Sequence, residues 1–349
     1  MRVHISEVRT GDRLKQNVFN KYGLHVLSCD KVLDEDDIVK LQRHNIDFVE
    51  IMHRAHRGSD QQKNAKVTNI VENILPNYDF AIDKMEQLFR RALEEGKIDE
   101  KEADSAFAPL VQSFRKESDV VSLLLTLQGA DEYTLHHSVQ VGMISYYLAK
   151  WLGYREQEAL LIGKSGYLHD IGKAFIDPKI IQKPTKLSAQ EFAAVKDHTI
   201  LGYDIIKVSG LPEPVALVAL EHHERLDGKG YPKGLNGSEM HPYSKIVAVA
   251  DVYSAMISSR SYRKKKDLLL VLKELHKLSF TELDPQVTQT FIRHMIPNFI
   301  GKKVALKNGA TGVIILTNPS DFFRPLIQIG DEFIDLSKNL QLEIETVYL

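Results

Sequence analysis

The sequence predicts a mainly α protein: a helical bundle, preceded by a small N-terminal α/β module and followed by a short β-rich C-terminal segment. Three observations predict it. Apolar residues recur at helical spacing through the middle of the chain, short strand-like apolar runs are confined to its two ends, and half of the 14 histidines fall between His136 and His241 beside the helical runs.

The elements follow in order. Residues 3–8, 25–27 and 48–52 read as short strands around a helical stretch near 35–43, which makes a small mixed module. The polar stretch 53–66 reads as a linker. Residues 68–128 are rich in Leu, Glu and Lys at helical spacing, with Met85, Leu88, Phe89 and Leu93 on an apolar stripe, so they either pack on the bundle or form a dimer interface. After Pro297, the runs 303–306, 311–317 and 325–329 look like strands separated by Asn-Gly and Asn-Pro turns. The expected division is therefore 1–60, 61–130, 131–300 and 301–349.

Between these ends, each helical run carries a nitrogen or oxygen donor of the kind first-row metals accept. The periodicity of 139–152 predicts a helix with His137 in its first turn. The run 160–171 brings His169 and Asp170 near its end, with Lys173 three and four residues on over the same face. Ser188 followed by Glu191 is a capping box, so a helix starts there and holds His198 about three turns in. The apolar segment 215–220 leads into Glu221, His222 and His223, and 246–250 leads into Asp251. Seven donors spread in this way predict a bundle with metal in its core. An adjacent His-Asp pair at the end of an apolar helix is costly unless a cation neutralises the carboxylate.

Composition sets limits. At 349 residues, 43% hydrophobic and 26% charged, the chain has room for two or three domains. A formal charge of -2 disfavours a polynucleotide substrate. The single cysteine, Cys29, excludes an internal disulfide and is compatible with a reducing cytoplasm, no apolar run reaches membrane-spanning length, and residues 1–12 lack a signal-peptide core.

The motif His169-Asp170-Ile-Gly-Lys173, followed by His222-His223-Glu224-Arg-Leu-Asp-Gly-Lys-Gly230-Tyr231-Pro232, resembles the signature of the HD-GYP family of HD phosphohydrolases, as do Gln182-Lys183-Pro184, Leu187-Ser188 and Val195-Lys196-Asp197-His198 between them. The resemblance covers about residues 131–297. It implies an HD-type bundle that hydrolyses cyclic di-GMP, a bacterial second messenger, to the linear dinucleotide and often on to GMP. It further implies His137, His169, Asp170, His198, His222, His223 and Asp251 as metal ligands with Asp170 bridging the ions, Lys173 on the phosphate, Gly230, Tyr231 and Pro232 in a loop beside the site, and Arg260 and Arg263 holding the nucleotide. Some members hold a third metal through a glutamate four residues before the first histidine. Tyr133 stands there, with Glu132 one place off, so two ions are expected. Ser254 stands where an aspartate is common.

Two cations about 3.5–4 Å apart would lower the pKa of a shared water and clamp a phosphate for in-line attack. A mostly histidine donor set favours iron or manganese over magnesium. Lys173 would offset charge on the phosphoryl oxygens. Asp227-Gly228-Lys229-Gly230 is also plain turn chemistry permitting positive φ. Arg260 and Arg263 can share one helix face, while Lys264, Lys265 and Lys266 meet water. Three functions compete: an active cyclic-dinucleotide phosphodiesterase, a low-turnover cyclic-dinucleotide-binding regulator, and an HD hydrolase of another nucleotide. Complete ligands with Lys173 favour the first over the second, and the Gly-Tyr-Pro loop favours it over the third. The residues do not separate cyclic di-GMP from the mixed cyclic GMP-AMP.

Overall fold

The computed structural model describes the chain apart from 53–59, 116–132, 182, 184, 258–267, 349 and scattered positions within 1–47; for 60–73, Tyr133 and a few strand residues of the first 48 it describes the backbone alone. Arg260, Arg263, Lys264–Lys266, Gln182, Pro184, Glu132, the Tyr133 side chain and much of 35–43 therefore lie outside the described residues.

The chain separates into two compact units, Met1–Ile70 and Val71–Leu349. In the first, β1 (Arg2–His4) pairs antiparallel with β4 (Phe48–Glu50), and β2 (Val18–Phe19) with β3 (His25–Leu27). Val3, Leu14, Leu33, Leu41, Val49 and Ile51 make its buried core.

In the second unit, α1 (Asp60–Glu95, whose first residues belong to the first unit) and α2 (Glu100–Phe114) lead to the bundle. The bundle comprises α3 (Tyr133–Trp151), α4 (Glu156–Leu168), α5 (Pro178–Ile181), α6 (Ala189–Lys196), α7 (His198–Val208), α8 (Glu213–Glu221), α9 (Pro242–Ile257), α10 (Leu268–Leu278) and α11 (Pro285–Met295). The expected linker thus turns helical from Asp60: its Gln, Lys and Asn residues are polar and its Ala is a strong helix former, and none of them breaks a helix. Met85 and Leu88 are fully buried within the chain, the Tyr167 hydroxyl donates to the Ala81 carbonyl, and Phe107 packs on Tyr167 at 5.5 Å, so α1 and α2 pack on the bundle. Among the described residues no helix is long and apolar enough to cross a membrane.

The C-terminal segment forms, among the described residues, a five-stranded antiparallel sheet in the order β8-β7-β6-β5-β9. Its strands are β5 (Lys303–Leu306), β6 (Thr311–Leu316), β7 (Leu326–Ile329), β8 (Glu332–Asp335) and β9 (Ile344–Tyr348). The last two are additions to the sequence reading. Glu-Phe-Ile-Asp places two apolar residues side by side and Ile-Glu-Thr-Val-Tyr two polar ones, so neither short run shows the period-2 alternation that marks a strand.

Candidate metal centre

Five helices deliver the donors, and two of these donors, together with Lys173, arrive differently from expectation. His137 lies in the second turn of α3, because that helix starts at Tyr133, ahead of its apolar run. His198 is not three turns into one helix. The capping box of Ser188 and Glu191 does start α6, but the chain tightens at Asp197 and His198 opens a new helix, α7. Lys173 does not continue the face of α4. That helix ends at Leu168, Asp170 adopts φ -99 and ψ 9, and Lys173 sits on the following 3-10 turn, Ile171–Phe175. Gly172 makes the turn possible: a Cβ there would lie 2.0 Å from the His198 carbonyl oxygen, so only glycine lets α7 approach Asp170 this closely.

The seven side chains converge in two groups, Asp170 with His198, His222 and His223, and His137 with His169 and Asp251, the donor atoms of each group lying within 4.8 Å of one another. All but His223 are buried. Asp170 faces both groups. Its Oδ1 lies 3.3 Å from His198 Nε2 and 3.8 Å from His222 Nε2, and its Oδ2 lies 3.3 Å from His169 Nε2. Asp251 is similarly placed, with Oδ1 at 2.9 Å from His137 Nε2 and Oδ2 at 3.7 Å from His223 Nδ1.

The histidine tautomers follow from partners outside the cluster. His169 Nδ1 donates to the Gly166 carbonyl, His198 Nδ1 to that of Val195, and His222 Nδ1 to that of Ala219. The Ser254 hydroxyl gives its proton to Gln140 Oε1, so its oxygen accepts from His137 Nδ1 at 3.1 Å. Each of the four rings therefore turns a bare Nε2 inward. His198 and His222 then oppose two lone pairs at 3.3 Å. Two nitrogens each 2.0–2.1 Å from one ion stand about 3 Å apart, so a cation between them turns a repulsion into two bonds. His169 Nε2 and Asp170 Oδ1 are buried with no hydrogen-bond partner, which an ion would also supply. The donor set fits divalent metal.

The electrostatics agree. Burial, with the neighbouring histidines, holds His222 well below its ordinary value, and burial brings His223 down to about 3. Burial also lowers His137 despite Asp251. His169 is the exception, since Asp170 and Asp251 outweigh its burial and raise it. Burial works against ionising both aspartates, yet the facing histidines, with Lys173 at Asp170, hold them well below the carboxylate range. Lys173 Nζ lies 2.5 Å from Asp170 Oδ2, directed at the carboxylate.

The Gly-Tyr-Pro loop returns to the cluster. The Tyr231 ring lies 4.7 Å from His223, and burial, then Asp170 and Asp251, push its phenol upward so that it stays protonated. Gly228 has φ +72, as turn chemistry predicts; Gly230 does not need positive φ, and its role is proximity, because a Cβ would sit 2.4 Å from the Glu224 Cα. Pro232 follows Tyr231 through a cis peptide. Glu224 had no role in the sequence reading. Its buried carboxylate accepts backbone N–H groups of Lys233, Gly234 and Leu235 at 2.6, 3.1 and 2.9 Å, pinning the loop that carries Tyr231. Its adjacency to the histidine pair was the available signal. Gly172, Gln140 and Ser254 also escaped assignment, because close approach and outer hydrogen bonds leave no spacing pattern.

The HD domain family model matches residues 119–287. Cyclic di-GMP phosphodiesterase PA4108 of Pseudomonas aeruginosa is 32% identical over 246 residues, 69% of this chain and 58% of that protein. The 3'3'-cGAMP-specific phosphodiesterase 1 of Vibrio cholerae is 36% identical over 170 residues, 48% of this chain and 39% of that one. The chain thus spans less than two thirds of the length of these curated relatives. In fold it is similar to Bd1817, a HDG"Y"P protein from Bdellovibrio bacteriovorus, with a TM-score of 0.51 over 83% of this chain and 97% of that one at 18% identity. Residues 119–287, which bring together all seven donors and the Gly-Tyr-Pro loop, are thus an HD domain with the motif of the HD-GYP subgroup.

Proposed function

We propose that the protein is a metal-dependent phosphodiesterase that hydrolyses cyclic di-GMP to the linear dinucleotide. The observation that carries the reading is the inward-facing set of bare Nε2 atoms around two buried carboxylates, with His198 and His222 opposed at 3.3 Å. Relatives that act on cyclic di-GMP or cyclic GMP-AMP support the substrate class.

His137, His169 and Asp251 would hold one ion and His198, His222 and His223 the other, with Asp170 offering an oxygen to each. When bound, two divalent ions, iron or manganese by the donor chemistry, acidify water and polarise a phosphate. The residues of the chain do the rest. The carbonyls of Gly166, Val195 and Ala219, with Ser254, fix ring orientation in advance. Lys173, held at Asp170, would offset the charge developing on a phosphoryl oxygen. The Glu224-pinned loop sets Tyr231 as a wall of the site. Arg260 and Arg263 are assigned to the nucleotide on the motif alone. A homodimer through 61–130 would use the exposed Phe80 and Leu93, and sedimentation equilibrium reads it directly. Cytoplasmic placement agrees with a second-messenger substrate.

The test is turnover of manganese- and iron-loaded protein against cyclic di-GMP and cyclic GMP-AMP, with elemental analysis of the same samples. About two transition-metal ions per chain and linear-dinucleotide release are expected. Hydrolysis of neither substrate at full metal content rejects the reading.

A further inference from the structure

Beside the Gly-Tyr-Pro loop lies a cluster that the centre as described does not use. Phe192 and Lys196 stand one helical turn apart on α6 and so share a face. Lys196 Nζ lies 4.9 Å from the centroid of Phe192 and 5.1 Å from that of Tyr231, and the two rings meet edge to face at 6.2 Å. Tyr231 touches His223 in turn, so an unbroken series of ring contacts leads from a candidate metal donor to the protein surface.

Two features point to a ligand. Phe192 is 46% exposed, a large apolar ring kept in water next to a polar centre. Lys196 is half-buried, and among the described residues no carboxylate pairs with it, whereas nearby Lys183 is paired with Glu191 at 2.7 Å. Two aromatic faces hold an ammonium in place without cancelling its charge. The result is an oriented, uncompensated cation beside an open stacking surface.

We propose that Phe192 and Lys196 form a recognition subsite for the half of a cyclic dinucleotide that is not at the metals, Phe192 stacking its base and Lys196 pairing with its phosphate. The proposal rests on the phosphodiesterase reading. A cyclic dinucleotide carries its two phosphodiesters on opposite sides of one ring, so a phosphate placed at Asp170 sends the other phosphate and its base outward. The mouth beside Tyr231 offers what that half needs: a π-face and a point charge. Stacking accepts any base, and an ammonium does not read base edges as a guanidinium fork does. The subsite therefore grips cyclic di-GMP and cyclic GMP-AMP alike.

The test is steady-state kinetics of the full-length, manganese-loaded protein with Phe192→Ala, Phe192→Trp, Lys196→Met and Lys196→Arg, on both dinucleotides, with metal content measured for each. Phe192→Ala and Lys196→Met should each raise KM about tenfold with kcat within about threefold and metal content unchanged. Phe192→Trp and Lys196→Arg should restore KM. Lys196→Met should also flatten the salt dependence of kcat/KM, and Phe192→Ala should not. Unshifted KM in both truncations overturns the subsite. So does a joint fall of kcat and metal content, which would make the cluster a prop for the loop. Wild-type turnover in the same series separates the two ideas: its absence overturns the phosphodiesterase reading and the subsite with it, while normal wild-type turnover with unshifted variants removes the subsite alone.

Discussion

Glu221 and Glu224 flank the His222-His223 pair, and Asp170 and Asp251 face it, yet the two pairs of buried carboxylates are satisfied in opposite ways. Glu221 accepts from the His241 backbone N–H and the Ser244 hydroxyl, both at 2.8 Å, and Glu224 from three successive backbone N–H groups of the loop. Asp170 has one cation on Oδ2 and no hydrogen bond on Oδ1, and Asp251 Oδ1 meets His137 at a nitrogen whose proton belongs on the other side of the ring. A buried carboxylate closed by backbone donors shapes the chain, whereas one left facing bare nitrogens is shaped for a guest. Burial alone does not distinguish the two; the direction of the hydrogen bonds does.

The sharpest way to break this comparison is Asp170→Asn. It removes the charge facing both groups and keeps the volume, so activity should fall by at least about a thousandfold and metal content should drop. The metal-free protein should lose little stability, under about 1 kcal/mol, since the partly exposed Lys173 can turn to water when its partner charge is gone. Chemical denaturation after chelation checks this, and a large loss of metal-free stability would place Asp170 with the structural carboxylates.

Glu224→Gln should show the converse. An amide can keep one acceptor but not both oxygens, so about 1–3 kcal/mol of stability is lost and the loop loosens. Turnover should fall roughly tenfold to a hundredfold while the metal stays bound. Loss of metal equal to that in Asp170→Asn would erase the distinction between the two pairs.

The same contrast explains what was legible in the sequence. The donors could be read because metal-binding side chains come from a few residue types, here His and Asp, and the helices that carry them have a strong apolar period. The bundle, the capping box at Ser188 and the confinement of strands to the ends follow from local patterns of the same kind. Glu224 and Gly172 sat inside quoted motifs without a role, because their partners are backbone atoms, and a backbone carbonyl or N–H has no signature in the sequence. The break at Asp197 that makes His198 a first-turn residue is likewise a small change of backbone direction within a helix-forming stretch. Ser254 was noticed as a departure, and only the bond from His137 Nδ1 explains it: a neutral hydroxyl orients the ring where an aspartate would also add charge.

Ser254→Ala tests that account on a smaller scale. The ring of His137 loses its outer partner and Gln140 loses a donor. Outer hydrogen bonds of this kind are worth about 10–100-fold in metal affinity, so the variant should need more manganese for half-maximal activity at nearly normal kcat when saturated. An unchanged metal titration would mean that packing alone orients His137.

The smallest expected effect is the pH dependence of the metal-free fold, and its sign follows from the histidines. His223 is held at about 3, and His222 and His137 also lie below their ordinary values. Between that value and the unfolded pKa near 6.5, the unfolded chain binds more protons than the folded one at these sites, so stability rises with pH there and is lost on acidification. His169 works the other way: its raised pKa contributes stability that is present at low pH and lost as pH rises through the folded value. That opposing effect lies above pH 6.5, so between pH 6.5 and 5 the three lowered sites prevail and acidification destabilises the metal-free fold. The lowered pKa values of Asp170 and Asp251 add a loss only below about 4, outside this window. With metal bound the decline should steepen, since a proton taken by an inward nitrogen also displaces an ion. Denaturation midpoints at pH 5 and 7.5, with and without chelator, read both slopes. Equal midpoints without metal would show that the inward nitrogens titrate alike in the folded and unfolded chain, and the distinction drawn from Asp170 and Asp251 would then have to rest on the mutants alone.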